Sequence, residues 1–241
     1  MGAPSTGDPK SPERRCYRSR SDWERAEAGP RATSRRIWAQ RNLLWYTPWH
    51  ELALTATGNA MYDRQALADL IREKSLRFGT FTLASGKQAS YYLDCRNVTL
   101  DSRGAQLIGA GMLELLRPNI PPLVGGMAIG ADPITAAILT LAGVEGLPLR
   151  GVMVRKEAKQ HGTGKFVEGP FTAGEELVIV EDVVTTGGSS LLAIERAEAV
   201  GLKVKRVLAI VDRLEGGKEA FAAKGYELTT LFTIRDFGIE V

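Results

Sequence analysis

From residue 62 onward the chain alternates between two hydrophobic periods. Leu67, Leu70, Ile71 and Leu76 fall at helical spacing and predict a helix within residues 62–78. The stretch FTLASGKQASYYLDC, residues 81–95, reads as a hairpin turning at Ser85-Gly86-Lys87. Residues 102–116 predict a second helix, with Asp101 as its N-cap. Short apolar runs then predict strands over 123–127, 151–154, 178–180, 204–211 and 228–234. Helical periods at 132–141, 188–200 and 218–223 lie between them. Strands alternating with helices predict an α/β fold, Rossmann-like, with a mainly parallel sheet flanked by helices on both faces. No internal repeat is present.

Residues 1–60 have no sustained apolar period and are rich in Arg, Ser, Pro and Gly. They read as a disordered extension or as a start codon placed too early, with Met61 opening the regular region. Residues 37–54, IWAQRNLLWYTPWHELAL, hold three of the four tryptophans and predict a short helix broken near Pro48. Ten basic against six acidic residues leave this segment at +4, whereas 21 basic against 22 acidic residues leave the rest at −1. The six acids count against an organelle transit peptide. Beyond residue 60 the balance gives no reason to expect nucleic-acid binding. Two cysteines, Cys16 and Cys95, without a CxxC pair, point to a reducing cytoplasm. No apolar run approaches the roughly 18 residues of a membrane span.

The chemistry concentrates in ELVIVEDVVTTGGSS, residues 176–190. An apolar strand ends on two adjacent acids, Glu181 and Asp182. Val183 and Val184 follow, then Thr185, Thr186, Gly187, Gly188, Ser189 and Ser190 lead into a helix. In an open α/β sheet, ligands bind at the carboxyl ends of strands. Amides at a helix start, with hydroxyls beside them and glycines allowing close approach, form an anion site. Carboxylates next to such a cradle suit a phosphorylated ligand that carries ribose hydroxyls or Mg2+. The plainer alternative is an acidic strand end followed by a capped helix. Neither GxxxxGK[ST] nor GxGxxG is present, and the absence of GxSxG counts against a hydrolase.

VIVEDVVTTGGS resembles the binding signature for phosphoribosyl pyrophosphate (PRPP) of the type I phosphoribosyltransferases. The resemblance implies that Glu181 and Asp182 contact the ribose hydroxyls and that the Val183–Ser189 loop holds the 5′-phosphate. A second segment, VRKEAKQHGTGK at 154–165, is basic and follows a predicted strand. Read alone it is a solvated charged loop, and His161 an ordinary surface histidine. RKEAKQHG resembles the catalytic loop of orotate phosphoribosyltransferases, which crosses into the neighbouring subunit. The match implies that Arg155, Lys156, Lys159 and His161 contact the pyrophosphate, with Lys159, His161 and Asp182 as the catalytic set.

Three further segments resemble the same family. FTLASGKQASYYLDCRN is similar to its hood, where orotate is held, and read alone is an ordinary amphipathic hairpin. The Tyr91-Tyr92 pair could pack on a pyrimidine ring. One form of the family has a lysine just before the Ser-Gly turn, where this chain has Ala84, so the role passes to Lys87 after it. GGMAIGADP, residues 125–133, resembles the pyrophosphate loop, and Asp132 is either a ligand or the cap of its helix. In IVDRLEGG, Arg213 matches the position that pairs with the orotate carboxylate, for which a planar guanidinium is suited. Read alone it is a surface ion pair. Thr185 also falls beside the base by the match.

The resemblance covers about residues 62–240 and implies a hood over 61–100 and a core over 101–241. It implies transfer of the phosphoribosyl group of PRPP to orotate, with Mg2+ held through PRPP and by Asp182, in a homodimer. Two other readings stand beside it: a phosphoribosyltransferase for a purine or uracil, and a PRPP-sensing regulator on the same fold. Arg213 and the basic loop count against the first, and the intact basic loop against the second.

Overall fold

The computed structural model describes residues 62–82, 88–157 and 165–241. Helix α1 (Arg64–Lys74) opens it, with the Asp63 carboxylate accepting from the Ala66 amide. Strands β1 (Leu76–Thr82) and β2 (Gln88–Leu93) form a separate antiparallel pair. The helix predicted as far as residue 78 therefore stops four residues earlier. Leu76 satisfies both periods, and pairing with Leu93 places it in the strand. The predicted turn at Ser85-Gly86-Lys87 lies outside the described residues. A short helix α2 (Arg96–Thr99), too brief for periodicity to reveal, leads into α3 (Ser102–Leu116). Asp101 caps α3 as expected, accepting from the Arg103 and Gly104 amides at 3.0 Å each.

The main sheet has six strands in the order β5-β4-β3-β6-β7-β8. These are β3 (Leu123–Met127), β4 (Arg150–Val154), β5 (Val167–Glu168), β6 (Glu176–Val184), β7 (Lys203–Asp212) and β8 (Glu227–Thr233). All pair in parallel except β5, which runs antiparallel to β4. Helix α4 (Ala131–Val144) joins β3 to β4, α5 (Gly188–Ala199) joins β6 to β7, and α6 (Gly217–Ala222) precedes β8. The α/β class with a mainly parallel sheet is the one expected.

Each face of the sheet buries its own cluster, which explains the nearly continuous apolar runs of the inner strands. Val178, Val180, Leu208 and Ile210 face α1, α3 and α4. Leu177, Ile179, Val207 and Ala209 face α5 and Phe221 of α6. Strand β6 is longer than its apolar run of 178–180 because the backbone ladder to β7 continues to Val184 opposite Asp212. Glu181 and Asp182 are thus strand residues. Helix α4 begins at Ala131 with Gly130 at the N-cap and no side-chain capping bond. Asp132 sits inside the first turn and caps nothing, which corrects that alternative. Among the described residues no helix is long and apolar enough to cross a membrane.

Candidate active site

Neighbouring strands β3 and β6 send their helices to opposite faces: Ile134 and Ile138 of α4 to one cluster, Ala193, Ile194 and Ala197 of α5 to the other. That divergence opens a crevice at the strands' carboxyl ends, the usual place for a ligand in such a sheet. A cavity of about 440 Å³ occupies it. Its walls are Glu181, Asp182 and Val183 from β6, Ser189 from α5, Met127 at the end of β3 with the turn 128–130 after it, and Tyr92–Asp94 with Arg96 from the end of the antiparallel pair. The Ala128–Ile129 peptide in that turn is cis.

Glu181 is 6% exposed. Burial, with the Asp182 charge adding to it, pushes its carboxyl up to about 7, against the donor Ser190. Ser190 Oγ donates to Glu181 Oε2 at 2.8 Å, and the Asp182 amide lies 3.4 Å from Oε1. Asp182 is half-buried, and its Oδ1 accepts from the Val183 amide at 2.8 Å. The two acids converge: a Cβ built on Gly130 would stand 3.5 Å from Asp182 Oδ1 and 3.7 Å from Glu181 Oε1.

After β6 the chain turns through Thr185 and Thr186 to Gly187, whose φ of +79° only glycine adopts freely. A Cβ there would also press on the Phe221 ring at 3.0 Å. This turn brings exposed Gly188 and Ser189 to the start of α5, with α5 amides facing the same end of the sheet. Ser189 lines the cavity, whereas Val184, Thr185, Thr186, Gly187 and Gly188 do not.

The other sequence-predicted residues fall into separate groups. Tyr91 and Tyr92 point to opposite sides of β2, as strand geometry requires. Tyr92 is 43% exposed, lines the cavity and lies 5.8 Å from the Phe81 ring, centroid to centroid. Tyr91 is buried and belongs with Arg213: Arg213 Nε donates to Tyr91 Oη at 2.9 Å, and its Cζ stands 4.7 Å from the Tyr91 ring. Glu215 completes the set with an ion pair to Arg213 at 2.8 Å. Neither Tyr91 nor Arg213 lines the cavity.

Arg155 follows β4 and is paired with Glu168 of β5. Its amide donates to the Phe166 carbonyl at 2.8 Å, closing the stem of the basic segment. Arg196 of α5 clasps both sides of that stem, donating to the Arg155 carbonyl and lying 4.3 Å from the Phe166 ring centre. Lys156 is exposed. Asp132 is raised by burial, with Arg155 opposing the rise. Lys87, Lys159 and His161 lie outside the described residues.

Sequence reading gave no role to Asp94 and Arg96 on the cavity wall. Arg96 grips Asp94 through two bonds of 2.8 Å, which hold the Asp94 carboxyl below its usual range. Opposite charges two residues apart at a strand end are the signal that could have marked them. The described residues contain no group of three or more His, Cys, Asp or Glu that could hold a metal ion by itself. The half-buried Asp182 carboxylate on the crevice wall is a protein oxygen that a divalent cation could meet. That suits Mg2+, which keeps one or two carboxylates and takes its other oxygens from substrate and water.

No protein-family model matches the chain. An orotate phosphoribosyltransferase of Rhodopirellula baltica is 58% identical over 191 residues, covering 77% of this chain and 99% of that protein. Another, from Thermosynechococcus vestitus, is 46% identical over 174 residues, covering 72% of this chain and 92% of that one. The crystal structure of the Mycobacterium tuberculosis orotate phosphoribosyltransferase in complex with PRPP superposes with a TM-score of 0.63 at 35% identity, over 73% of this chain and 99% of that chain. A crevice walled by an acid pair at the switch point of a parallel sheet, together with identities this high over nearly whole relatives, places the chain in the orotate phosphoribosyltransferase family.

Proposed function

We propose that this chain transfers the phosphoribosyl group of PRPP to N1 of orotate, releasing orotidine 5′-phosphate and pyrophosphate. The observation that carries the reading is the convergence of Glu181 and Asp182 over Gly130 in a crevice that Ser189 also faces. Carboxylate oxygens at that point suit paired ribose hydroxyls. The 185–189 turn suits the 5′-phosphate through amides and hydroxyls. Arg213, fixed by Tyr91 and Glu215, offers a guanidinium for the orotate carboxylate, and Tyr92 an exposed ring for the base.

In the reaction the bond from C1 of the ribose to the pyrophosphate oxygen breaks and its electron pair leaves with pyrophosphate. Orotate that has already given its N1 proton to solvent supplies the N1 electron pair that forms the new bond. Positive character at C1 favours the nearby carboxylates electrostatically. Bound Mg2+ supplies charge neutralisation on the diphosphate, with Asp182 as its protein partner. Arg155, Lys156, Lys159 and His161 are proposed to receive the departing charge and exclude water from it.

We assign this work to residues 61–241, with a hood over 61–100 and a core over 101–241, acting as a cytoplasmic homodimer. Recovery with membranes on cell fractionation would contradict the compartment. The decisive assay follows orotate absorbance with PRPP and Mg2+, using the full chain and residues 61–241 separately. Orotate should be consumed by both, and adenine, hypoxanthine and uracil should not replace it. Consumption of one of those bases instead would overturn the substrate, and inactivity of the shorter chain alone would overturn the division.

A further inference from the structure

The two adjacent serines that open α5 point in different directions. Ser189 is exposed and lines the cavity, as a phosphate-loop hydroxyl would. Ser190, roughly 100° further round the helix, is 1% exposed and faces the sheet. Its Oγ donates to Glu181 Oε2 at 2.8 Å, a neutral hydroxyl donor beside a carboxyl whose other side-chain neighbour is the acid Asp182. The backbone contact, from the Asp182 amide, is long at 3.4 Å and falls on the other oxygen, Oε1. That same Oε1 is the one converging with Asp182 Oδ1 above Gly130.

Building on the PRPP reading above, we propose that Ser190 is a positioning residue for PRPP binding: by holding Glu181 Oε2 it turns Oε1 toward the ribose hydroxyls before the substrate arrives. A glutamate side chain has three rotatable bonds, and ordering it on binding would cost affinity. An internal donor fixes that orientation in advance. Ser190 also ties the strand that carries the acids to the helix that carries the phosphate loop, so one bond sets the spacing between the ribose-binding and phosphate-binding halves of the site.

The test compares Ser190→Thr with Ser190→Val in the full chain. The two side chains share a shape, and the hydroxyl is their one difference. Ser190→Val should raise the KM for PRPP roughly ten- to a hundredfold over Ser190→Thr, the usual range for losing a hydrogen bond to a charged group. The KM for orotate should move less than about threefold. Calorimetric titration with PRPP alone should show the same ratio without turnover. Ser190→Ala, which adds no methyl groups to a buried site, should follow Ser190→Val. Equal PRPP affinities in the Thr and Val variants, with wild-type turnover intact, would sink this role and leave the proposed function standing. Failure of the wild-type chain to consume orotate would sink the proposed function itself.

Discussion

Glu181 pays for its place in the site with the protein's own stability. Its folded value of about 7 stands above the ordinary 4.5 because burial disfavours the charge. Below about pH 4.5 the group is protonated in both folded and unfolded chains and costs nothing. As pH rises toward 7 the unfolded chain releases the proton first, so stability falls, and the full cost is present above 7. Glu181→Gln should therefore raise the melting temperature of the ligand-free protein at pH 8 by about 5 °C, from a gain on the order of 2 kcal/mol. The gain should shrink toward pH 4.5, and PRPP turnover should drop. Scanning calorimetry at both pH values decides it; a variant no more stable than wild type at pH 8 would contradict the account.

At the scale of elements, the stem of the basic segment hangs on α5. Arg196 contributes a charged donor to the Arg155 carbonyl and a cation above the Phe166 ring. Arg196→Met keeps much of the side-chain length and removes both. It should lower stability by about 1–2 kcal/mol in urea titration with an unchanged slope. No shift in the midpoint would show that the clasp is too solvated to matter. Nothing in the sequence announced this contact, because Arg196 meets a backbone carbonyl 41 residues away and reads as one more charge on a helix. Inner strands were legible for the opposite reason. Burial on both faces of β3, β6 and β7 writes long apolar runs, and Asp101 before α3 is a cap by local chemistry alone. The acid pair stood out as a candidate ligand site from its adjacent turn, and the structure puts both acids on the crevice wall. That Ser190 serves Glu181 while Ser189 faces the cavity depends on helix phase against the sheet, which spacing alone does not reveal. The Tyr91–Tyr92 pair divided for the same kind of reason: alternation along β2 sends Tyr91 to Arg213 and leaves Tyr92 at the crevice.

For the whole molecule, the question is whether one chain completes a site. The basic segment leaves the sheet from β4, and β3 separates β4 from the acids of β6. Its stem residue Arg155 is engaged with Glu168 of its own chain. If the segment serves the partner's crevice, Lys159→Ala protein mixed with Asp182→Asn protein should regain activity, because random pairing yields some sites with both residues intact. Up to about a quarter of wild-type turnover is expected when half the chains pair as hybrids and each hybrid holds one intact site. Turnover of the mixture no higher than the sum of its inactive parents, after subunit exchange is verified, would mean that each chain works on its own crevice.

Strand β6 runs through the interior of the sheet, hydrogen-bonded to a neighbour on each side. The acids proposed to grip the sugar sit just beyond the end of the β3 ladder at Ile179 but still beside β7, with Glu181 opposite Ala209, so changes there would disturb a strand at the centre of the sheet. Tyr92, proposed for the base, belongs instead to the separate two-stranded pair, so a designer retuning which base is accepted could work there without touching the ladders of the main sheet.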